Sequence, residues 1–253
     1  MTDFPKIREL PSVLKTDGWE WEQFSTPSNP SYDFWVGTDA HGIKWLTKLK
    51  GGFSGYREIV FARLAQEMDW SCQTSVFALF DKDSQEQLSI ENGNNIHAVQ
   101  YFMNEHSHER CTENCPHQIL REPISTIKSL KGIPIKNILD WPKSDIAACI
   151  FGAGEQSGVF FTDSHNFVII DSEQMFSCGP GNLNQTAWDK GCIDPELQKL
   201  KVETCKEIQN LSNKTIQKSL NVPEKVNFEM PWSISDRIKS SRVMVNNYLQ
   251  DRS

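Results

Sequence analysis

Apolar and polar residues alternate between positions 43 and 50 in the manner of a β-strand. The alternation assigns Ile43, Trp45, Thr47 and Leu49 to one face, and Lys44, Leu46, Lys48 and Lys50 to the other. After a glycine-rich link, residues 58–70 carry apolar side chains at the spacing of an amphipathic helix. The pattern therefore predicts a strand that is followed by a helix with one buried face.

The rest of the N-terminal part is typical of a sheet with short connections. Alternating, β-branched and aromatic residues predict further strands at 19–24, 32–37, 74–80 and 96–103. The turn Asp39-Ala40-His41-Gly42 joins two strands in a hairpin. Polar, turn-forming residues predict loops at 27–31 and 81–95, and residues 1–18 are predicted to contain at most a short helix.

Helical signals dominate the C-terminal part of the chain. Capping residues and apolar spacing predict three helices, opened by Ser144, by Asp194-Pro195 and by Ser233. These helices are predicted to end at Gly152, Leu220 and Leu249. Between the first and the second, apolar runs at 159–161 and 167–170 flank a turn and predict a hairpin, with Asp171 at its exit.

A strand lysine and an acid in the first turn of the next helix, ten residues later, are the first candidates for chemistry. Kinases pair such residues across a nucleotide pocket: the lysine holds the α- and β-phosphates, and the carboxylate holds the lysine. Here the pair is Lys48 and Glu58. The alternative is a surface lysine and an exposed glutamate that have no common role.

The run from Lys48 through Glu58 to Trp70 resembles the small-lobe core of the HipA-like kinases, and sparser matches continue over much of the chain. The resemblance implies an α+β, bilobal, protein-kinase-like fold. Residues 1–103 would form an N-lobe with a small antiparallel sheet and one helix, and residues 104–253 a mainly helical C-lobe. It also implies that ATP and Mg²⁺ bind between the lobes, with adenine on the backbone near Gln100–Met103.

The predicted hairpin at 159–170 continues the resemblance, because helix, catalytic loop, hairpin and metal-binding Asp follow in this order in the family. Asp171 is accordingly the candidate magnesium ligand, and Glu173 is a second candidate by geometry rather than by family match. The alternative for Asp171 is an acid in a turn at the end of a strand.

The chain departs from the family where catalysis is decided. The catalytic Asp of the family falls near residues 154–155, where the acid present is Glu155, although an ungapped alignment from the hairpin puts Gly154 there instead. The metal-binding Asn of the family falls at Val159. Valine has no atom that can bind a cation. Two functions therefore stay open: an atypical kinase that phosphorylates a protein, with Glu155 as base, and a pseudokinase that recognises a protein partner. An unrelated α+β domain is the third alternative.

The glycine-rich link at 51–55 has two interpretations. Its backbone N–H groups could approach phosphate at the start of the helix, or it could be a flexible connection.

A cluster of histidine and cysteine residues comes after the last predicted strand of the N-lobe. Imidazole and thiolate are the ligands that Zn²⁺ prefers, but the spacing matches no common zinc finger. An exposed polar loop and an oxidation-sensitive cysteine pair are the alternatives. The candidate zinc ligands are His106, His108, Cys111, Cys115 and His117.

Composition narrows the range of partners. The chain has 253 residues and a net charge of −7 without a basic tract, which disfavours nucleic acid as a partner. No apolar run approaches the length of a membrane span, and the first residues lack the pattern of a signal peptide. Seven irregularly spaced cysteines suit a reducing cytoplasm, where we expect the protein to act on or bind another protein.

Overall fold

The structure is a computed structural model. It describes residues 5–24, 34–48, 52–90, 95–102, 108–110, 129–130, 133–134, 136–153, 157–161, 166–170, 172–183, 195–222 and 232–252. The boundary predicted after residue 103 lies outside these ranges.

A six-stranded sheet is built from the N-terminal part. Its strands are β1 (Val13–Lys15), β2 (Glu20–Phe24), β3 (Phe34–Thr38), β4 (Lys44–Lys48), β5 (Ser75–Leu79) and β6 (Ile96–Tyr101). They lie in the order β1-β5-β6-β4-β3-β2, and every neighbouring pair is antiparallel except β1 and β5, which are parallel. The predicted hairpin of β3 and β4 is confirmed. The sequence did not predict β1, because its three residues are too short to show a period.

Helix α1 (Gly52–Glu67) begins inside the glycine-rich link, which corrects two expectations. From Gly52 on the link is helical rather than a flexible connection, and Glu58 lies in the second turn of the helix rather than the first. One glycine of the link, Gly55, is required by packing, because a Cβ built there would lie 2.5 Å from the Cβ of Ala98 on β6. The glycine thus allows α1 to pack closely on the sheet.

A short helix, α2 (Lys82–Gln87), replaces part of the predicted loop at 81–95. Asp81 caps it, since its carboxylate accepts a hydrogen bond from the backbone N–H of Ser84 at 3.0 Å. Trp21 donates a second bond to the Ser84 hydroxyl at 2.9 Å. The segment has no apolar face, so the hydrophobic pattern could not reveal the helix.

The C-terminal part is mainly helical, as predicted. Its helices are α3 (Asp140–Phe151), α4 (Pro195–Asn210), α5 (Asn213–Leu220) and α6 (Trp232–Gln250). The hairpin of β10 (Ser157–Phe161) and β11 (Phe167–Ile170) is confirmed, and β7 (His108–Arg110) joins it as a third strand. Strands β8 (Ser129–Leu130) and β9 (Ile133–Pro134) form a separate pair.

Two predicted helix boundaries in this part were wrong. Helix α3 begins at Asp140, and Ser144 lies inside it with its hydroxyl donating to the carbonyl of Trp141 at 2.6 Å. The helix predicted to reach Leu220 is interrupted after Asn210, because Ser212 caps a new helix by accepting from the N–H of Thr215 at 3.0 Å.

Two hydrophobic clusters cover the two faces of the sheet. One of them fills the space between the sheet, α1 and the C-terminal helices, and includes Phe61, Phe77, Phe151 and Ile238. The other covers the opposite face with Trp19, Trp45, Val76, Phe80 and Leu88. Helix α1 therefore lies at the centre of the molecule, between sheet and helices. Among the helices that the structure describes, none has both the length and the apolar character that crossing a membrane requires.

Candidate functional site

Lys48 and Glu58 form an ion pair between β4 and α1. The Lys48 Nζ atom lies 3.2 Å from Oε1 of Glu58, and the side chains are 15% and 3% exposed. The last residue of β4 and the second turn of α1 are brought together because the helix packs directly on the sheet at Gly55. The pair is therefore largely buried. A buried carboxylate is stable only when charge and hydrogen bonds compensate it, which gives each member of the pair a defined orientation.

Gln100 is a further partner of the Glu58 carboxylate. Its side-chain Nε2 donates a hydrogen bond to Oε2 of Glu58, and its side chain is buried. Gln100 is paired with Leu46 of β4, so both side chains project from the same face of the sheet, toward α1. Lys48 and Gln100 together occupy both carboxylate oxygens of Glu58.

From the sequence, Gln100 is expected to contact adenine through its backbone, and its side-chain bond to Glu58 is not foreseen. The signal that could have revealed it is a lone amide on the otherwise apolar side of β6, on the same face of the sheet as Lys48. The pairing and register of β4 and β6 are set by the tertiary structure. Gln100 can therefore be recognised as a neighbour of Lys48 only when the strand order is known.

The backbone after Gln100 is engaged within the sheet. The N–H groups of Tyr101 and Phe102 donate to the carbonyls of Thr74 and Lys44, both at 2.8 Å. The next N–H group along the chain belongs to Met103, which lies outside the described residues. An adenine contact in this region stays a prediction.

Strand β11, which leads to Asp171, is anchored to the segment after α1. Ile169 forms a parallel bridge to Cys72, in which it donates to the carbonyl of Ser71 and accepts from the N–H of Gln73, both at 2.9 Å. Ile170 and Ser172, on either side of Asp171, are both buried. A 3₁₀ turn at Ser172–Gln174 then packs against α1.

Cys72 links this anchor to the ion pair electrostatically. Burial raises the pKa of its thiol well above the usual range, and the negative charge of Glu58 raises that pKa further. The protonated thiol is the stable form in this surrounding, so Cys72 is a packing residue rather than a nucleophile.

The remaining predicted site residues lie outside the described part of the chain, in whole or in side chain. Val159, at the position of the family's metal-binding Asn, lies within β10, paired with Val168 on one side and Arg110 on the other. The side chains of His108 in β7 and of Glu173 in the 3₁₀ turn are not described. Those with no described position are Met103, His106, Cys111, Cys115, His117, Glu155 and Asp171.

The zinc prediction and the magnesium prediction are therefore both open. Among the described side chains, no group of three or more histidine, cysteine, aspartate or glutamate residues is arranged to hold a metal ion.

A second ion-paired lysine of similar exposure, Lys143, lies in a separate cluster. The Lys143 Nζ atom on α3 is 2.9 Å from Oε2 of Glu207 on α4 and 5.1 Å from the centre of the Trp70 ring. Trp70 also donates a hydrogen bond to Glu207. Since the Lys143 side chain is 15% exposed, as is that of Lys48, it provides a matched comparison for the candidate site.

Comparisons with known proteins leave the family of this chain unassigned. No protein-family model and no curated protein matches it. The solved structures that it resembles include the crystal structure of a Helicobacter pylori proinflammatory kinase, CtkA. The identity is 8% and the TM-score is 0.43, over 93% of this chain and 98% of that chain. Similarity at this level assigns neither a fold family nor an activity, so the contacts of the site itself must support any function.

Proposed function

We propose that this chain is an atypical ATP-dependent kinase of the HipA-like type. It binds ATP and Mg²⁺ beside Lys48, between the N-lobe and the C-lobe, and transfers phosphate to a protein. The observation that carries the proposal is the buried ion pair of Lys48 and Glu58.

The chemistry of the donor set fits a nucleotide triphosphate. An ammonium group that binds α- and β-phosphates must stay protonated and point in a fixed direction. Glu58 supplies the negative charge for both requirements, and Gln100 prevents its carboxylate from rotating away from Lys48. Two partners on a carboxylate that is 3% exposed make a site that is pre-organised rather than assembled on binding.

Magnesium is assigned to Asp171, with Glu173 as a second carboxylate. Support comes from the anchoring of β11, since Ile169 is held on the segment between α1 and β5, two residues before Asp171. Hard carboxylate oxygens are the ligands that Mg²⁺ prefers, and the bound ion would neutralise charge on the β- and γ-phosphates.

Phosphate transfer assigns Glu155 the role of base toward a hydroxyl group of the protein substrate. Its carboxylate can accept that proton, although it reaches about one methylene further than an aspartate. Positioning supplies most of the catalysis in phosphoryl transfer, so the longer side chain would affect the rate more than binding.

A pseudokinase that recognises a protein partner is the second candidate, and Val159 favours it. This residue lies within a three-stranded sheet at the position where the family has a metal-binding Asn. A site that lacks one cation ligand can still bind nucleotide through Lys48 while transferring phosphate slowly or not at all.

Thermal unfolding with and without ATP and Mg²⁺ tests the nucleotide site. Saturating ligand, at about a hundredfold excess over Kd, stabilises the folded state by about 2.7 kcal/mol. We expect this stabilisation in the wild type and in Lys143→Met, and its loss in Lys48→Met. An equal response of the two methionine variants, or no response of the wild type, would reject the site.

Transfer of the γ-phosphate then separates the two candidates. Radiolabelled ATP and a mixture of candidate protein substrates should give label on protein with the wild type and far less with Glu155→Gln, while nucleotide binding is retained. Nucleotide binding without any transfer by the wild type would favour the pseudokinase.

A further inference from the structure

Gln73 makes hydrogen bonds to two strands, β11 and β6, each of which precedes residues assigned to the proposed nucleotide site. Its backbone N–H donates to the carbonyl of Ile169 on β11 at 2.9 Å. Its side-chain Nε2 donates to the carbonyl of Tyr101, at the end of β6, also at 2.9 Å. The residue is 7% exposed, so water competes little with either bond.

The two strands lead into different parts of the proposed site. Strand β11 runs into Asp171, the proposed magnesium ligand, whereas β6 runs into residues 102–103, where the adenine contact is expected. Gln73 therefore joins the backbone beside the proposed cation site to the backbone beside the proposed base site. The described contacts include no other side chain that bonds to the end of β6 while its own backbone bonds to β11.

Thr74, the residue after Gln73, is held by several hydrogen bonds. The carbonyl of Thr74 accepts a hydrogen bond from the N–H of Tyr101. The Thr74 hydroxyl donates to the carbonyl of Pro5 at 2.6 Å and accepts from Gln66 of α1 at 3.3 Å. The consecutive residues Gln73 and Thr74 therefore bind the carbonyl and the N–H of Tyr101, respectively, at the end of β6.

We infer that Gln73 is a positioning residue that couples cation binding near β11 to nucleotide-base binding at the end of β6. The inference rests on the proposed function. Bound Mg²⁺ would restrict the end of β11 at Asp171, beyond the anchor at Ile169, and Gln73 would pass that constraint to the Tyr101 carbonyl, which precedes the backbone expected to bind adenine. Since coupling is reciprocal, a bound base would raise the affinity for the cation by the same factor.

Titration calorimetry on the full chain measures the coupling as a ratio of affinities. The Kd of ATP is determined in excess EDTA and in excess Mg²⁺, and the ratio of the two values is compared between variants. Gln73→Met keeps the side-chain length and the backbone bond to Ile169 but removes the donor to Tyr101. We expect the ratio to fall about threefold to tenfold, as the loss of one buried hydrogen bond predicts.

Gln85→Met is the matched control. Gln85 also donates a side-chain hydrogen bond to a backbone carbonyl, that of Phe80 at 2.8 Å, but at the opposite end of β5. Its loss should lower the stability of the sheet and leave the ratio unchanged. Gln73→Asn is the second variant, because its shorter amide keeps the polarity of the position but no longer reaches Tyr101.

The outcomes separate the inference from the function on which it rests. A wild type that binds ATP, with a ratio that neither Gln73 variant changes, overturns the role of Gln73 and leaves the nucleotide site intact. An equal fall in Gln85→Met, or a wild-type ratio of one, also overturns it. A wild type that binds no ATP under either condition removes the proposed function and the inference together.

Discussion

The hydroxyl of Tyr56 on α1 donates a hydrogen bond to the carbonyl of Leu220, 2.7 Å away at the end of α5. Arg63, two turns further along α1, donates to the carbonyls of Ser219 and Asn221 at 3.1 and 2.8 Å. The last carbonyls of α5 are therefore satisfied by side chains of α1 rather than by water. The helix that carries Glu58 is in this way fixed to the C-terminal part of the molecule.

Tyr56→Phe should lower the free energy of unfolding by about 1–3 kcal/mol, because it leaves the buried Leu220 carbonyl without its donor. Urea denaturation followed by tryptophan fluorescence measures the change. Tyr248→Phe is the control, since the hydroxyl of Tyr248 makes a longer bond, 3.4 Å, to Gln198. A smaller loss of unfolding free energy in Tyr56→Phe than in Tyr248→Phe would contradict the proposed contribution of the Tyr56 hydrogen bond to the attachment of α1 to α5.

The same hydroxyl predicts a dependence on alkaline pH. Burial raises the pKa of Tyr56 from 10.0 to about 12, and the positive charge of Arg63 partly opposes the shift. The unfolded phenol ionises from about pH 10, whereas the folded phenol keeps its proton. The stability that Tyr56 contributes is therefore complete below the unfolded pKa and is lost as the pH rises from about 10 to about 12.

The difference in stability between wild type and Tyr56→Phe should accordingly shrink over that interval. Urea denaturation of both proteins at several pH values between about 9 and 11 checks it. A constant difference across the series would mean that the phenol ionises equally in both states.

Gln100→Leu should weaken both the fold and the proposed site. It removes the hydrogen bond that Gln100 donates to Oε2 of the buried Glu58 carboxylate, which costs about 1–3 kcal/mol of stability, and it allows that carboxylate to rotate away from Lys48. Denaturation and ATP titration are the two measurements.

Gln23→Leu is the control for this change, because Gln23 is an exposed glutamine on β2. Its effect on stability should stay within about 0.5 kcal/mol. Wild-type ATP affinity in Gln100→Leu would show that the Glu58 carboxylate needs no second partner.

Gly55→Ala should destabilise the protein, although alanine in a helix interior is normally favoured over glycine by about 1 kcal/mol. The added Cβ would lie 2.5 Å from that of Ala98, so α1 must move away from β6. Overpacking of this kind typically costs about 1–3 kcal/mol. The melting temperature measures the loss.

Adding Ala98→Gly to the Gly55→Ala variant tests whether the clash with Ala98 causes the loss of stability, because it removes the Cβ that the new Cβ would contact. The double variant should recover part of the stability lost in Gly55→Ala. No recovery would place the strain elsewhere than at the contact between α1 and β6.

Local patterns predicted the elements that carry a strong period of their own. The hairpin of β3 and β4, the hairpin of β10 and β11, and helix α6 lie where the sequence puts them, because each has alternation, helical spacing or turn residues. Elements without such a period were missed: β1 has three residues, and α2 has no apolar face. The start of α1 was also missed, because glycines that normally interrupt a helix here serve its close packing.

The residues of the candidate site likewise fall into those that the sequence could pair and one that it could not. Lys48 and Glu58 could be paired from the sequence, since a strand and the next helix meet across a short connection. Gln100 could not be added to them, because its contact with Glu58 depends on the placement of β6 beside β4.

By itself, the sequence determined the order of sheet and helices, the strand lysine and the helix acid, and the two hairpins, because each of these depends on neighbours along the chain. Only the tertiary structure decided that Gln100 holds Glu58, that Gln73 joins β11 to β6, and that Tyr56 and Arg63 fix α1 to α5. These contacts join residues far apart in the chain. Their geometry depends on strand order, register and the packing of buried surfaces, which no local period encodes.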